Sequence, residues 1–557
     1  MNQPAAWHAL YPDNVPSEID PGKYSSLVDL FTCAASEFAD RPAFANFGSQ
    51  ISYAQTLHLA QSMAAYLVED CNVQPGDRVA IMLPNILAYP IAMLGALMAG
   101  ATVVNVNPQY TARELRHQLS DSGATSIVIL RHLLPNLDQV IEDTVIRDVI
   151  CAEVGDLLRP SKKLLINALV RFKSGTLRLD HIKAYTTFSQ AIASGKGQNF
   201  QTVTLRHSDI AFLQYTGGTT GLSKGAMLSH GNIIANVLQI SSFFVDQAEP
   251  GKEIVVTALP LYHIYALTFN CFCFLHYGGL VYLITDPRDV KRFVKEIRKL
   301  RFTAISGVNT LYNLLLSEPG FENIDFSALK YASSGGMAAQ RAVAEKWQSK
   351  TKVFLGESYG LTEASPAVSS IPPGVEHFTG TVGVPLPSTE CTIRNDSGKI
   401  LPANEVGELW VRGPQVMQGY WQNTSATEQA IDQDGWLKTG DMAKMDEAGM
   451  VSIVDRAKDM IIVSGFNVYP NEVEDVAAKH PDIAEVAVIG LPDEVAGEMV
   501  TLVAVSRNPA LDEQAVIEFC RQELTAYKKP TRVIFVDELP KSNVGKILRR
   551  EVREMFN

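Results

Sequence analysis

The chain has 557 residues, 46% of them hydrophobic and 19% charged, with a net charge of −12. That is enough for two or more domains with a large packed core, and too hydrophobic for disorder. The negative balance argues against nucleic-acid binding through bulk positive charge, and seven scattered cysteines with no C-x-x-C pair point to a reducing compartment.

Residues 1–22 carry prolines and acidic side chains but no apolar h-region, so no secretory signal is expected there. Residues 26–38 and 56–69 read as amphipathic helices. The run 78–83 is a buried strand ended by Pro84-Asn85, followed by a helix over 86–99 and a strand over 102–106. A helix over 111–122 has Thr111 as N-cap with Glu114 three residues on, and 126–130 is another strand. This β-α-β alternation predicts a largely parallel sheet with helices on its faces. Residues 86–112 and 254–284 contain no Asp, Glu, Lys or Arg over membrane-like lengths. Pro90, Gly95, Asn105 and Asn107 interrupt the first, and Pro260, His263, Asn270 and Gly278-Gly279 the second. Both are expected to be buried strand–helix–strand pieces.

Residues 157–179 change character. Arg159, Lys162, Lys163, Arg171, Lys173 and Arg178 occur with no acidic residue among them, interleaved with Leu164, Leu165, Ile166, Leu169, Val170 and Phe172. Two readings stand: a peripheral contact with anionic lipid, or a solvated helix packed on the body.

The run Ile210-Ala211-Phe212-Leu213 reads as a short buried strand, with a helix expected over 229–244. Between them lies Tyr215-Thr216-Gly217-Gly218-Thr219-Thr220-Gly221-Leu222-Ser223-Lys224-Gly225. Such a loop can turn N–H groups and hydroxyls toward an anion, and Lys224 adds a positive charge; the alternative is an ordinary Gly/Thr turn. Ser223 precedes Lys224, so the Walker spacing fails, and G-x-G-x-x-G is absent from the loop.

The α/β pattern resumes to about 370. Gly356-Glu357-Ser358-Tyr359-Gly360-Leu361-Thr362-Glu363 follows the apolar run 353–355. Tyr359 offers a face for a purine and Glu363 a hard oxygen for Mg²⁺. Residues 383–454 suggest a β-rich subdomain that contains Asp434-Gly435-Trp436-Leu437-Lys438-Thr439-Gly440-Asp441, where the Asp441 carboxylate suits a ribose diol. Asp455-Arg456-Ala457-Lys458-Asp459 is a charged link between apolar strands. Beyond it, strand-like runs at 486–489, 501–505 and 532–536 and helices at 471–479 and 512–524 make an α+β domain of normal size. Leu539-Pro540-Lys541-Ser542-Asn543-Val544-Gly545-Lys546-Ile547-Leu548-Arg549-Arg550 puts Lys546 on a Gly-flanked loop of that domain.

The glycine-rich loop closely resembles the phosphate loop of the adenylate-forming enzymes, the superfamily of acyl-CoA synthetases, luciferases and peptide-synthetase adenylation domains. The other motifs match in the same order. The resemblance implies an α/β protein. A large N-terminal domain, residues 1–455, would join a hinge at 456–458 with Lys458 and a small mobile C-terminal domain at 459–557. It implies ATP contacts at Thr216, Gly217, Gly218, Thr219, Thr220, Gly221, Lys224, Gly335, Gly336, Glu357, Ser358, Tyr359, Gly360, Thr362, Asp441, Arg456 and Lys546. Thr219 and Glu363 would hold magnesium; Lys546, Lys224 and Glu363 would be catalytic; Gly465 and Phe466 would meet CoA.

Pro260-Leu261-Tyr262-His263-Ile264-Tyr265-Ala266-Leu267 looks like the bacterial long-chain fatty-acid–CoA ligases in particular, with His263, Leu267 and Gly336 toward the acyl group. Some members place a tryptophan gate where Leu267 stands. The implied reaction joins a fatty acid to CoA at the expense of ATP, through an acyl-adenylate, for β-oxidation or lipid synthesis. The expected setting is cytoplasmic, with a peripheral contact on the inner membrane and room for a homodimer. The runner-up is an adenylating ligase for a shorter or aromatic acid, or one with a carrier-protein thiol as acceptor. Outside the enzymes, the alternative is a lipid-binding or transport protein regulated by ATP.

Overall fold

A computed structural model describes residues 5–198, 201–216, 223–244, 247–464, 466–493, 496–542 and 545–556. Four sheets organise them. Residues Arg78–Met82, Thr102–Asn105, Ser126–Leu130, Asp148–Ala152 and Ile210–Thr216 run parallel within a seven-stranded sheet. A nine-stranded sheet is parallel at its centre, through Ile254–Thr257, Leu280–Leu283, Ala304–Gly307, Tyr331–Gly335 and Leu355–Gly360. The predicted β-rich subdomain is an antiparallel sheet of Glu390–Arg394, Gly407–Arg412, Leu437–Met445 and Val451–Arg456. The last sheet belongs to the C-terminal region and has its own apolar cluster, which includes Ile461, Val473, Val488, Leu502 and Val516.

The two charge-free runs are interior pieces. Helix Ala88–Met98 is buried along its whole length, as suits a helix apolar on every side. Polar residues within or beside these runs join the two large sheets. Asn85 Nδ2 donates to the carbonyls of Thr257 and Leu259, and its Oδ1 accepts from Leu261 N–H. Tyr89 hydroxyl donates to the Leu261 carbonyl and Gln214 Nε2 to the Tyr262 carbonyl. Each buried polar group here removes a partner's desolvation cost along with its own. Among the described residues no helix is long and apolar enough to cross a membrane.

Several boundaries differ from expectation. The second helix starts at Tyr53, where Ser52 and Gln55 form a capping box. On either side of the glycine-rich segment the strands pair: Lys224–Ser229 is antiparallel to Ile210–Thr216, and the helix begins only at His230. Residues 356–360 lie within a strand, Leu355–Gly360, and do not follow one. The run 266–273 is a π-helix, a form that concentrates at functional sites. In the C-terminal region a hairpin, Ile461–Val463 with Phe466–Val468, precedes helix Pro470–Ala477.

Candidate active site

The motif strands Tyr331–Gly335 and Leu355–Gly360 are parallel neighbours, with Ser334 opposite Glu357 and Gly335 opposite Ser358. Their carboxyl ends form the kind of sheet edge where α/β folds bind ligands. At Gly335 a Cβ would stand a tight 3.1 Å from the Tyr265 ring, and Gly336 adopts φ +81°. Ser334 Oγ is buried with no hydrogen-bond partner among the described residues. Glu357 is buried with Oε1 accepting Ala339 N–H at 3.0 Å; burial pushes its pKa up to about 7.

Gly217, Gly218, Thr219, Thr220 and Gly221 lie outside the described residues, but the strands on both sides of them are placed. Thr216 pairs with Lys224. Residues 418–421 dock along the second strand: Met227 N–H donates to Gly419 carbonyl, and Trp421 N–H to Gly225 carbonyl. This sets Tyr420 under Lys224, whose Nζ is 5.0 Å from the ring centroid. Tyr420 hydroxyl donates to Glu363 Oε1 at 2.7 Å. Glu363 sits on the short 3₁₀ turn Thr362–Ala364, just past the second motif strand. Thus the lysine of one motif and the acid of another share one tyrosine.

Asp441, nearly fully buried, accepts from Tyr359 hydroxyl at Oδ2 (2.5 Å) and pairs at Oδ1 with Arg456 Nε (2.8 Å). Lys546 reaches this group from the C-terminal region. Its pKa is pushed down to about 8, first by burial, then by the charge of Arg456; Asp441 pulls the other way. His263 lies within its field, and burial followed by the Lys546 charge lowers that imidazole to about 4. Tyr265 N–H donates to His263 Nδ1.

Two contacts fix the Lys546 loop. Thr310 Oγ1, on helix Asn309–Ser317, donates to Gly545 carbonyl at 2.9 Å. Arg549 pairs with Asp455 (2.8 Å) and Glu474 (2.7 Å) and donates to Asn471 Oδ1. Asp455 lies just before the link 456–458 and Glu474 after it, so Arg549 bridges that link. Lys458 is exposed at the turn, where Asp459 N–H donates to Arg456 carbonyl. Gly465 lies outside the described residues; Phe466 is exposed and stacks on Tyr527 at 4.9 Å.

An apolar cavity borders the motif strands. Phe243, Phe244, Tyr265, Phe269 and Tyr331 line it, and Ser333 and Ser358 close its motif end. Leu267 is fully buried in the π-helix. Neither it, His263 nor Gly336 lines this cavity. Sequence reasoning missed Tyr420, Thr310, Arg549 and these aromatics. Of these only Tyr265, in the run 260–267, and Arg549, three residues beyond Lys546, stood inside a motif.

The AMP-binding enzyme profile matches residues 31–421, and that of the AMP-binding enzyme C-terminal domain residues 472–546. A long-chain-fatty-acid–CoA ligase of Escherichia coli O6:H1 is 48% identical, covering 98% of each chain. One from Haemophilus influenzae is 45% identical, with the same coverage. Among solved structures, the anthranilate CoA ligase AuaEII with anthranoyl-AMP aligns over 96% of this chain and 99% of its own (TM-score 0.85, 23% identity) and shows the fold. ATP-bound MatB from Rhodopseudomonas palustris aligns at TM-score 0.81 and 28% identity, over 95% of this chain and 99% of its own. Apo MatB, with the same coverage and 29% identity, reaches only 0.68. The arrangement described here is therefore nearer to the ATP-bound one. Both profiles match in order, and they span the segments carrying Lys224, Glu363 and Lys546, so the chain belongs to the AMP-binding enzyme family.

Proposed function

We infer that this chain is a long-chain fatty acid–CoA ligase, converting fatty acid, ATP and CoA to acyl-CoA, AMP and diphosphate. The observation that carries this reading is the group of Tyr359, Asp441, Arg456 and Lys546, with an apolar cavity lined in part by Ser333 and Ser358 on the same motif strands. Near-half identity to ligases of that name over almost the whole chain supports it.

A carboxylate is a poor acyl donor because its leaving group would be oxide. In the first step a carboxylate oxygen attacks the α-phosphorus of ATP, and the bond to diphosphate breaks. In the second, the CoA sulfur loses its proton and attacks the acyl carbonyl, and the bond to AMP breaks. Tyr359 borders the adenine, Asp441 and Arg456 hold the ribose, and the glycine-rich motif that ends at Lys224 cradles the phosphates. Lys224 and Lys546 balance the charge that gathers on phosphate oxygens. Mg²⁺, when bound with ATP, withdraws charge from those oxygens. Among the described residues no group of three His, Cys, Asp or Glu side chains is placed to hold a metal ion by itself. Glu363 would give one oxygen, with the phosphates giving most others, which fits a hard cation shared with a nucleotide. A turn at 456–458 then withdraws Lys546 and brings Phe466 toward the CoA tunnel.

Long-chain acids partition into bilayers, so a peripheral contact at the cytoplasmic face of a membrane is part of this reading. The aromatic lining of Phe243, Phe244, Phe269 and Tyr331 favours, as a second reading, a flat aromatic acid. One assay separates the two: AMP release across a panel of fatty and aromatic acids, with thioester measured with and without CoA. AMP and diphosphate should form with long-chain acids, and thioester only when CoA is added. ADP release, or turnover with aromatic acids alone, would overturn the assignment.

A further inference from the structure

Helix Pro160–Ser174 is built inside out. Residues four apart share a helix face, and Lys163, Asn167 and Arg171 turn theirs toward the body. Lys163 Nζ lies 3.0 Å from Asp156 Oδ1. Asn167 donates to Glu153 Oε2 and accepts Gly155 N–H, and Arg171 grips Glu153 through two hydrogen bonds. Asn167 is the helix's one buried residue. Ile166 and Val170 are half-buried against the core. The apolar side faces out: Leu164, Leu165, Leu169 and Phe172 are 74%, 66%, 52% and 90% exposed. A surface helix ordinarily does the reverse. At its ends Arg159, Lys173 and Arg178 are exposed, with no acidic residue between 157 and 179.

We propose that this helix is the chain's membrane-docking surface, seating Leu164, Leu165, Leu169 and Phe172 among acyl chains while Arg159, Lys173 and Arg178 meet anionic headgroups. The charges argue for lipid. The whole chain carries −12 and is repelled by an anionic surface, so attraction has to be local. Lys162 is committed to Phe47 carbonyl, Lys163 to Asp156 and Arg171 to Glu153, which leaves the helix ends to supply the attraction. A second copy fits less well. Four side chains fall far short of the roughly 20–30 residues a side of a stable interface, and self-pairing would set like charges together. The inference extends the ligase reading by naming where its membrane contact lies, but vesicle binding can be measured without turnover.

The test is co-sedimentation of the full chain with vesicles of phosphatidylglycerol and phosphatidylcholine, against phosphatidylcholine alone. The four apolar residues are changed to Gln in one variant, and Arg159, Lys173 and Arg178 to Gln in another. At about 1 kcal/mol per basic residue near the surface, the charge variant should lose on the order of a hundredfold in affinity for anionic vesicles. The apolar variant should lose binding to both compositions. Each should keep wild-type activity on a short, water-soluble acid. Wild type that stays in the supernatant, or variants that bind as wild type does, would overturn the proposal. So would a wild-type dimer by sedimentation velocity that the apolar variant dissolves. If vesicles bind as expected while no acid is adenylated, the ligase reading fails and the docking surface stands.

Discussion

Replacing Lys546 with alanine removes an ammonium held by burial among Arg456, Asp441 and Lys458. Its worth follows from that setting. A unit charge about 4 Å from a developing phosphate charge, at an effective dielectric near 20, contributes ~4 kcal/mol, close to three decades in rate. A single preorganised oxyanion donor is typically worth ~10²–10³, so adenylation should fall by that amount. Under the proposed turn at 456–458, which would carry Lys546 away, the thioester step should not. The assay is single-turnover acyl-CoA formation from synthetic acyl-AMP, set beside diphosphate release from ATP and fatty acid. Titration adds a second check. The lysine is charged below its pKa of about 8, so wild-type adenylation should decline as pH rises through about 8. Lys546→Arg should lose that alkaline limb, since arginine stays protonated. If the alanine variant is as slow from acyl-AMP as from fatty acid, Lys546 serves both steps or only structure, and the alternation scheme fails.

Glu363→Ala should slow adenylation strongly and raise the magnesium requirement, and Tyr420→Phe, which loses the hydroxyl holding Glu363, should shift the same requirement by less. Unchanged magnesium titrations in both would remove Glu363 from the metal's shell. Lys458→Pro fixes φ in the turn after Arg456, so diphosphate exchange should survive better than thioester synthesis; equal losses would argue against a hinge there. Glu357→Gln tests a buried carboxyl whose pKa rises from 4.5 to about 7. The folded state favours its proton, so that contribution is full below the unfolded value and lost as pH rises through about 7. Gln keeps the acceptor for Ala339 N–H and never ionises. Its Tm should therefore gain on wild type between about pH 5 and pH 8; a constant offset would refute the assignment.

What could be read from the sequence depended on whether partners lie close along the chain. Strand Ser126–Leu130 and helix Ala112–Ser122 stood close to expectation because their signals, a continuous apolar run and a Thr111–Glu114 capping box, are local. Lys224–Ser229 was missed as a strand because its pairing to Ile210–Thr216, not its composition, makes it one. Asp441, Glu363 and Lys546 stood out as parts of motifs. Tyr420 and Thr310 did not, since each is an ordinary residue placed beside Glu363 or Gly545 by chain more than fifty residues away. The helix Pro160–Ser174 announced its two faces but not which one looks inward. Glu153 and Asp156, which decide that, lie before the basic stretch begins.

The bridge made by Arg549 has a kinetic meaning. The proposed turn at 456–458 would carry Arg549, Glu474 and Asn471 away together, so Arg549 would leave with partners. Asp455, wholly buried, would stay behind and lose both Arg549 and the Asn471 N–H. Stranding one member of a buried pair costs about 3–5 kcal/mol unless something replaces it. On the proposed scheme that cost holds the chain in the arrangement for the first half-reaction, and new contacts made for the second would have to offset it.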